Sequence, residues 1–123
     1  MIFKKTFEVP KKQLFPDFIV KRREILRQKA LKQGISALLA LSESGVQAVI
    51  FGSVLKSGEF QEGSDIDICI VSQQTESDMS FSIAESSIKD FTADVSWFED
   101  LRPAIKEAVL KEGKSVTDLQ SCL

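Results

Sequence analysis

The chain has 123 residues, enough for one domain with one core, and its apolar share of 43% is ordinary for a folded protein. It contains no histidine, which excludes a Ser-His-Asp triad, a histidine-ligated metal and a histidine general base. No apolar run approaches the roughly 20 residues that span a membrane, and Met1-Ile2-Phe3-Lys4-Lys5 is not followed by the apolar core of a signal peptide, so a cytoplasmic protein is expected. The net charge of −2 is unevenly spread: residues 1–33 hold ten Lys/Arg against three Asp/Glu, and the rest is acidic. A basic arm on an acidic body is either a docking surface or a solvated helix face. Two cysteines, Cys69 and Cys122, have neither disulfide-framework nor zinc spacing.

Residues 1–14 read as a short strand or an extended arm, with Phe3, Phe7, Val9 and Leu14 as scattered apolar positions. Pro16-Asp17 marks a helix start. Helical spacing from Phe18 to Ser42 sets Phe18, Ile25, Leu31, Ile35, Leu38 and Leu39 on the inner side, with Gly34 as a kink or break. Val46–Phe51 is a short β-branched run and predicts a buried strand. A polar connection, Gly52–Ser64, leads to a second strand, Ile66–Val71. Thr75-x-x-Asp78 would cap a helix running to about Asp90, and Phe91–Phe98 is a third strand. Pro103 suits a first helical position and Gly113 a helix stop. Residues 114–123 would add a short strand or a tail, and Ser115-Val116-Thr117 reads as structural.

Chemistry gathers between the first and third strands. Side chains alternate along a strand, so Asp65, Asp67 and Cys69 share one face and Ile66, Ile68 and Ile70 the other. Two adjacent carboxylates repel unless a cation neutralises them, and Mg²⁺ takes carboxylate, phosphate and water oxygens. In Phe91–Phe98, Asp94 and Ser96 point away from Ala93, Val95 and Trp97. If that strand lies beside Ile66–Val71, Asp94 reaches the edge where Asp65 and Asp67 stand. Three acids could then hold two Mg²⁺ ions for an in-line displacement, and Asp94 could serve as general base. Gly52-Ser53, directly after a strand, would let backbone amides and the Ser53 hydroxyl approach a polyphosphate. Lys56 is near enough in sequence to neutralise a leaving pyrophosphate. Singly, each feature is more often a turn or a wet strand face. Their combination is what points to phosphoryl chemistry.

These residues resemble the minimal nucleotidyltransferases of the polymerase-beta-like superfamily. The signature is read in Val49-Ile50-Phe51-Gly52-Ser53, Gly58, Ser64-Asp65-Ile66-Asp67-Ile68 and Ala93-Asp94-Val95, with Leu101-x-Pro103-x-Ile105 and Glu112-Gly113 bounding the last helix. The likeness covers about residues 35–114. It departs from the pattern in the loop Val54-Leu55-Lys56-Ser57-Gly58, one residue longer than usual, and in the basic extension 1–16. The resemblance implies one nucleotidyltransferase domain over residues 1–123, an α+β fold with a small mixed sheet flanked by helices. It also implies Mg²⁺ dependence and transfer of a nucleoside monophosphate from ATP or another NTP. Asp65, Asp67 and Asp94 would be catalytic metal ligands, and Gly52, Ser53 and Lys56 would bind the nucleotide. Larger relatives carry a second domain for the acceptor. Here a partner protein or a second copy would hold it, and minimal members often act as antitoxins beside a small helical HEPN-type toxin, which some adenylylate.

Three functions compete on this reading: an Mg²⁺-dependent transferase acting on a partner protein, a non-catalytic module that masks a toxin by contact, and a transferase acting on a small molecule or a nucleic acid end. The full set of three acids favours catalysis. A net charge of −2 and few exposed-looking aromatics argue against a nucleic-acid substrate, while the basic arm leaves one open. In the first reading, Lys21, Arg22, Arg23 and Arg27 are expected to dock the partner.

Overall fold

A computed structural model of the chain describes residues 17–73 and 79–122. The expectations for the extension 1–16, for Pro16 and for a cap at Thr75-x-x-Asp78 lie outside the described residues.

Helix α1, Asp17–Glu43, is one continuous helix of 27 residues. Gly34 does not break it. A Cβ at Gly34 would meet Ile50 Cδ1 at 2.6 Å and Ile66 Cγ2 at 3.5 Å. The glycine is therefore a packing residue that lets the helix backbone lie directly on the sheet. The inward set also differs from the expected one. Ala30, Leu31, Gly34, Ile35, Ala37, Leu38 and Leu41 are buried. Phe18 and Ile25, expected inside, are 68% and 71% exposed, and Leu39 is also exposed.

Strand β1, Val46–Phe51, follows a turn at Gly45, which adopts φ 79°. Strand β2 spans Ile66–Gln73, two residues longer than expected, and β3 spans Ala93–Trp97. The sheet order is β1-β2-β3, with β1 antiparallel and β3 parallel to β2. The fold is α+β with a small mixed sheet flanked by helices, as expected. A parallel pair needs a crossover, and helix α2, Met79–Ser87, lies in it. Ile50, Ile66, Ile68 and Ile70 pack with Leu31, Ile35, Leu38 and Leu41 of α1 and with Ala84 and Ile88. Burying each such isoleucine or leucine contributes about 1.5–3 kcal/mol, so this single face supplies most of the core.

Polar side chains of α1 fix the approach to β3. Gln33 accepts hydrogen bonds from the Lys89 and Asp90 amides at 2.9 and 3.1 Å, and donates to the Asp90 carboxylate at 2.6 Å. Phe60, fully buried, meets Phe91 edge-on at 5.6 Å and ties the long connection to the same segment.

Cys69 and Val109 are buried on the opposite face, outside the main core. Helix α3, Pro103–Glu112, packs there against β1. Gly113 ends it at φ −59°, not in the left-handed conformation expected of a glycine stop. Its smallness serves space instead: a Cβ would meet the Val109 carbonyl at 2.5 Å and Val49 Cγ2 at 3.0 Å. Lys114 then exchanges two backbone hydrogen bonds with Ile50, at 2.8 and 2.9 Å. The last segment is a helix, α4, Val116–Cys122, rather than a strand or tail. Its start is capped reciprocally: the Asp118 amide donates to Ser115 Oγ at 3.2 Å, and the Ser115 amide donates to the Asp118 carboxylate at 3.0 Å. Ser115→Ala should lower stability by about 1 kcal/mol. This would be read as a lower urea midpoint at unchanged slope.

Candidate active site

Topology brings the three sequence features together. Because β1 runs against β2 and β3 runs with it, the end of β1 and the starts of β2 and β3 meet at one edge of the sheet. Phe51, Asp67 and Asp94 form one register row across the three strands. Asp65 lies one residue ahead of β2 and is exposed, as is Asp94. Asp67 is half-buried between them. Burial, then the neighbouring charges of Asp94 and Asp65, push the Asp67 carboxyl up to about 6. The acids thus sense one another across the edge. They do not close into a cage: among the described residues, no group of three or more His, Cys, Asp or Glu is drawn together tightly enough to hold a metal ion. Cys69, two residues beyond Asp67, is covered, and burial raises its thiol to about 11. The wet part of this face therefore begins at Asp67.

Gly52 leaves β1 beside this row with φ 84° and ψ −156°, a region that side chains disfavour. A Cβ there would fall on the Asp67 carboxylate oxygen Oδ2. No other residue could bring the backbone this close to Asp67. Ser53 opens a single 3-10 turn, Ser53–Leu55. The Leu55 and Lys56 amides close it onto the Gly52 and Ser53 carbonyls at 3.1 and 3.0 Å. The first amides of such a turn have no partner inside it. Lys56 is not drawn into this turn. Its Nζ lies 3.3 Å from Glu112, at the end of α3, in an exposed ion pair.

Of the basic residues expected to dock a partner, Arg22 and Arg27 form pairs within the chain. Arg22 pairs with Glu62 at 2.7 Å on the surface. Arg27 is turned inward, its side chain only 13% exposed, and pairs with Glu24 at 2.6 Å. Its Nη1 also donates to the Val54 carbonyl at 3.0 Å. Glu24 received no role from the sequence reading. Glu24-x-x-Arg27 is visible there as a helical i,i+3 pair, but the turn it reaches is 27 residues away along the chain.

A family model described as a nucleotidyltransferase domain matches residues 31–116, more than half of the chain. This chain belongs to the nucleotidyltransferase domain family, and nucleotidyl transfer is the chemistry of its class. Among solved structures, the chain is similar to one assigned provisionally as a minimal nucleotidyltransferase: 19% identity, TM-score 0.53, covering 77% of this chain and 93% of the other. At that identity the likeness speaks for the fold. A search of curated proteins found no match. Among the described residues, no helix is long and apolar enough to cross a membrane.

Proposed function

We propose that this protein transfers AMP from ATP, with Mg²⁺, onto a hydroxyl of a partner protein. By its resemblance to minimal members, we place it as the antitoxin beside a HEPN-type helical toxin. The observation that carries the reading is the row Asp67–Asp94, with the Gly52 backbone packed onto Asp67. Paired carboxylates beside a backbone turn suit a Mg²⁺·triphosphate. Asp67 would hold the ion together with Asp65 or Asp94, and phosphate and water oxygens would complete its sphere, as is usual for Mg²⁺. When bound, Mg²⁺ neutralises phosphate charge and orients the transferred group.

The chain's own residues supply the rest. Gly52 allows the phosphates to approach its backbone, and Ser53 Oγ can donate to them. Asp94, exposed at the edge, can take the proton of the attacking hydroxyl. Lys56 would have to leave Glu112 to reach the pyrophosphate. An exposed pair of this kind is worth only about 0–1 kcal/mol, so the exchange is easy. The openness of Asp65 and Asp94 to solvent suits a macromolecular acceptor.

The decisive experiment incubates the protein and its co-purifying partner with each α-labelled NTP and Mg²⁺. Label should move from ATP to the partner. Asp94→Asn should cut transfer by at least about a hundredfold, the scale of a lost general base or metal ligand, while leaving partner binding intact. A wild type that binds the partner tightly yet transfers no label from any NTP would replace this reading with masking by contact alone.

A further inference from the structure

We propose that Arg27 is a positioning residue for the nucleotide: from α1, its guanidinium holds the Val54 carbonyl and so fixes the Gly52–Ser57 turn that seats the phosphates. This rests on the functional reading above and adds to it a residue outside the strand-and-turn signature.

The geometry is specific. Arg27 Nε and Nη2 both donate to the Glu24 carboxylate, at 2.9 and 2.6 Å, which leaves Nη1 to meet Val54 at 3.0 Å. Glu24 in turn accepts from Ser57 Oγ at 3.4 Å and from Gln28 Nε2 at 3.1 Å. The pair therefore holds the turn at two points, the Val54 carbonyl and the Ser57 hydroxyl. The Arg27 bond is the main force keeping Glu24 ionised, down to about 2, so the clamp stays charged throughout the working pH range. Val54 itself is fully buried, which anchors the turn from below. A planar fork can serve a carboxylate and a carbonyl at once. A lysine ammonium has neither that shape nor that reach. A turn free to rock would have to be ordered at each binding event, and preorganisation removes that cost.

The prediction is a split in kinetic constants. Arg27→Met and Arg27→Lys should each raise the KM for ATP and the calorimetric Kd for Mg²⁺·ATP by about tenfold or more, the scale of one charge-assisted hydrogen bond. The KM for the protein acceptor should not move. Amides 53–57 should exchange faster in the nucleotide-free variant. Arg27→Lys, its fold checked by melting, carries the test alone if Arg27→Met does not fold.

The outcomes separate the two layers of inference. A wild type that binds no Mg²⁺·NTP overturns the functional reading, and this proposal with it. A wild type that binds, beside an Arg27→Lys variant whose ATP KM stays within about twofold of it, overturns the proposal alone. So does a variant in which ATP KM, acceptor KM and melting temperature deteriorate together, since that is the mark of a general structural role.

Discussion

Asp67→Asn should abolish nucleotidyl transfer and, without metal, make the protein more stable at neutral pH. Both halves follow from one carboxylate. Asp67 is half-buried between two like charges, and its carboxyl is raised from an ordinary 3.8 to about 6. Folding raises its proton affinity, so the protonated acid favours the folded state. The stability tied to that proton is complete below about pH 4 and is lost as pH rises through about 6. Above that, the folded protein carries an ionised Asp67 at a cost. The shift corresponds to at most about 3 kcal/mol, and to about 1–2 once solvent screening at a half-open site is allowed for. Asparagine removes the charge and with it the penalty. The melting temperature of the mutant should therefore exceed that of wild type at pH 7.5, and the gap should close towards pH 4. Mg²⁺·ATP should raise the melting temperature of wild type only, because a ligand of the folded state stabilises it. Transfer should fall by at least about a hundredfold. An equal ligand-induced shift in wild type and mutant would remove Asp67 from the site.

Gly52→Ala should be more damaging than any other single methyl added near the site. The backbone there, at φ 84° and ψ −156°, costs a non-glycine residue about 1–3 kcal/mol in strain. The added Cβ would also fall on Asp67 Oδ2, so relief requires moving the carboxylate or the turn. Loss of about 3 kcal/mol in urea unfolding is expected, together with loss of Mg²⁺·ATP binding. Gly58→Ala provides the control. Gly58 has a similar positive φ of 86°, yet a Cβ there meets nothing within 4 Å. That variant should show the strain without the loss of binding. If Gly52→Ala binds nucleotide as wild type does, the close packing of Gly52 on Asp67 has no part in the site.

The strand edge was legible because its information is local. Ile66, Ile68 and Ile70 alternate with Asp65, Asp67 and Cys69, and a two-residue period has one structural meaning. Asp94 needed only one further assumption, that its strand lies beside β2, and the parallel register supplies it. Helix α1 was read less well. Helical spacing of the large apolar residues puts Phe18, Ile25 and Leu39 inside, whereas close approach to the sheet selects Ala30, Gly34 and Ala37. Small residues are nearly silent in a hydrophobic pattern. Gly34 differs from its expectation for a related reason, and Gly113 stops α3 as expected but without the left-handed conformation: both are glycines of space. Ser115-x-x-Asp118 is a local capping pattern that announces α4 in the sequence itself. Arg27 could not have been placed from sequence. Its partner in the turn is set by how α1 crosses the sheet, and charge patterning alone made it look like part of a solvent-facing stripe.

The contact at Gly34 gives α1 a mechanical character. With no side chain between helix backbone and sheet, Ile50 and Ile66 act as an index pin, and the helix has no room to slide or roll across them. Arg27 lies seven residues upstream, two turns along the same stripe and about 10 Å away. An α-helix over so short a span is effectively a rigid rod. The position of the guanidinium is thus surveyed from a fixed datum in the core, two isoleucines in the rows that flank the acids. The strands locate the carboxylates and the helix locates the turn, and both are measured from the same two isoleucines.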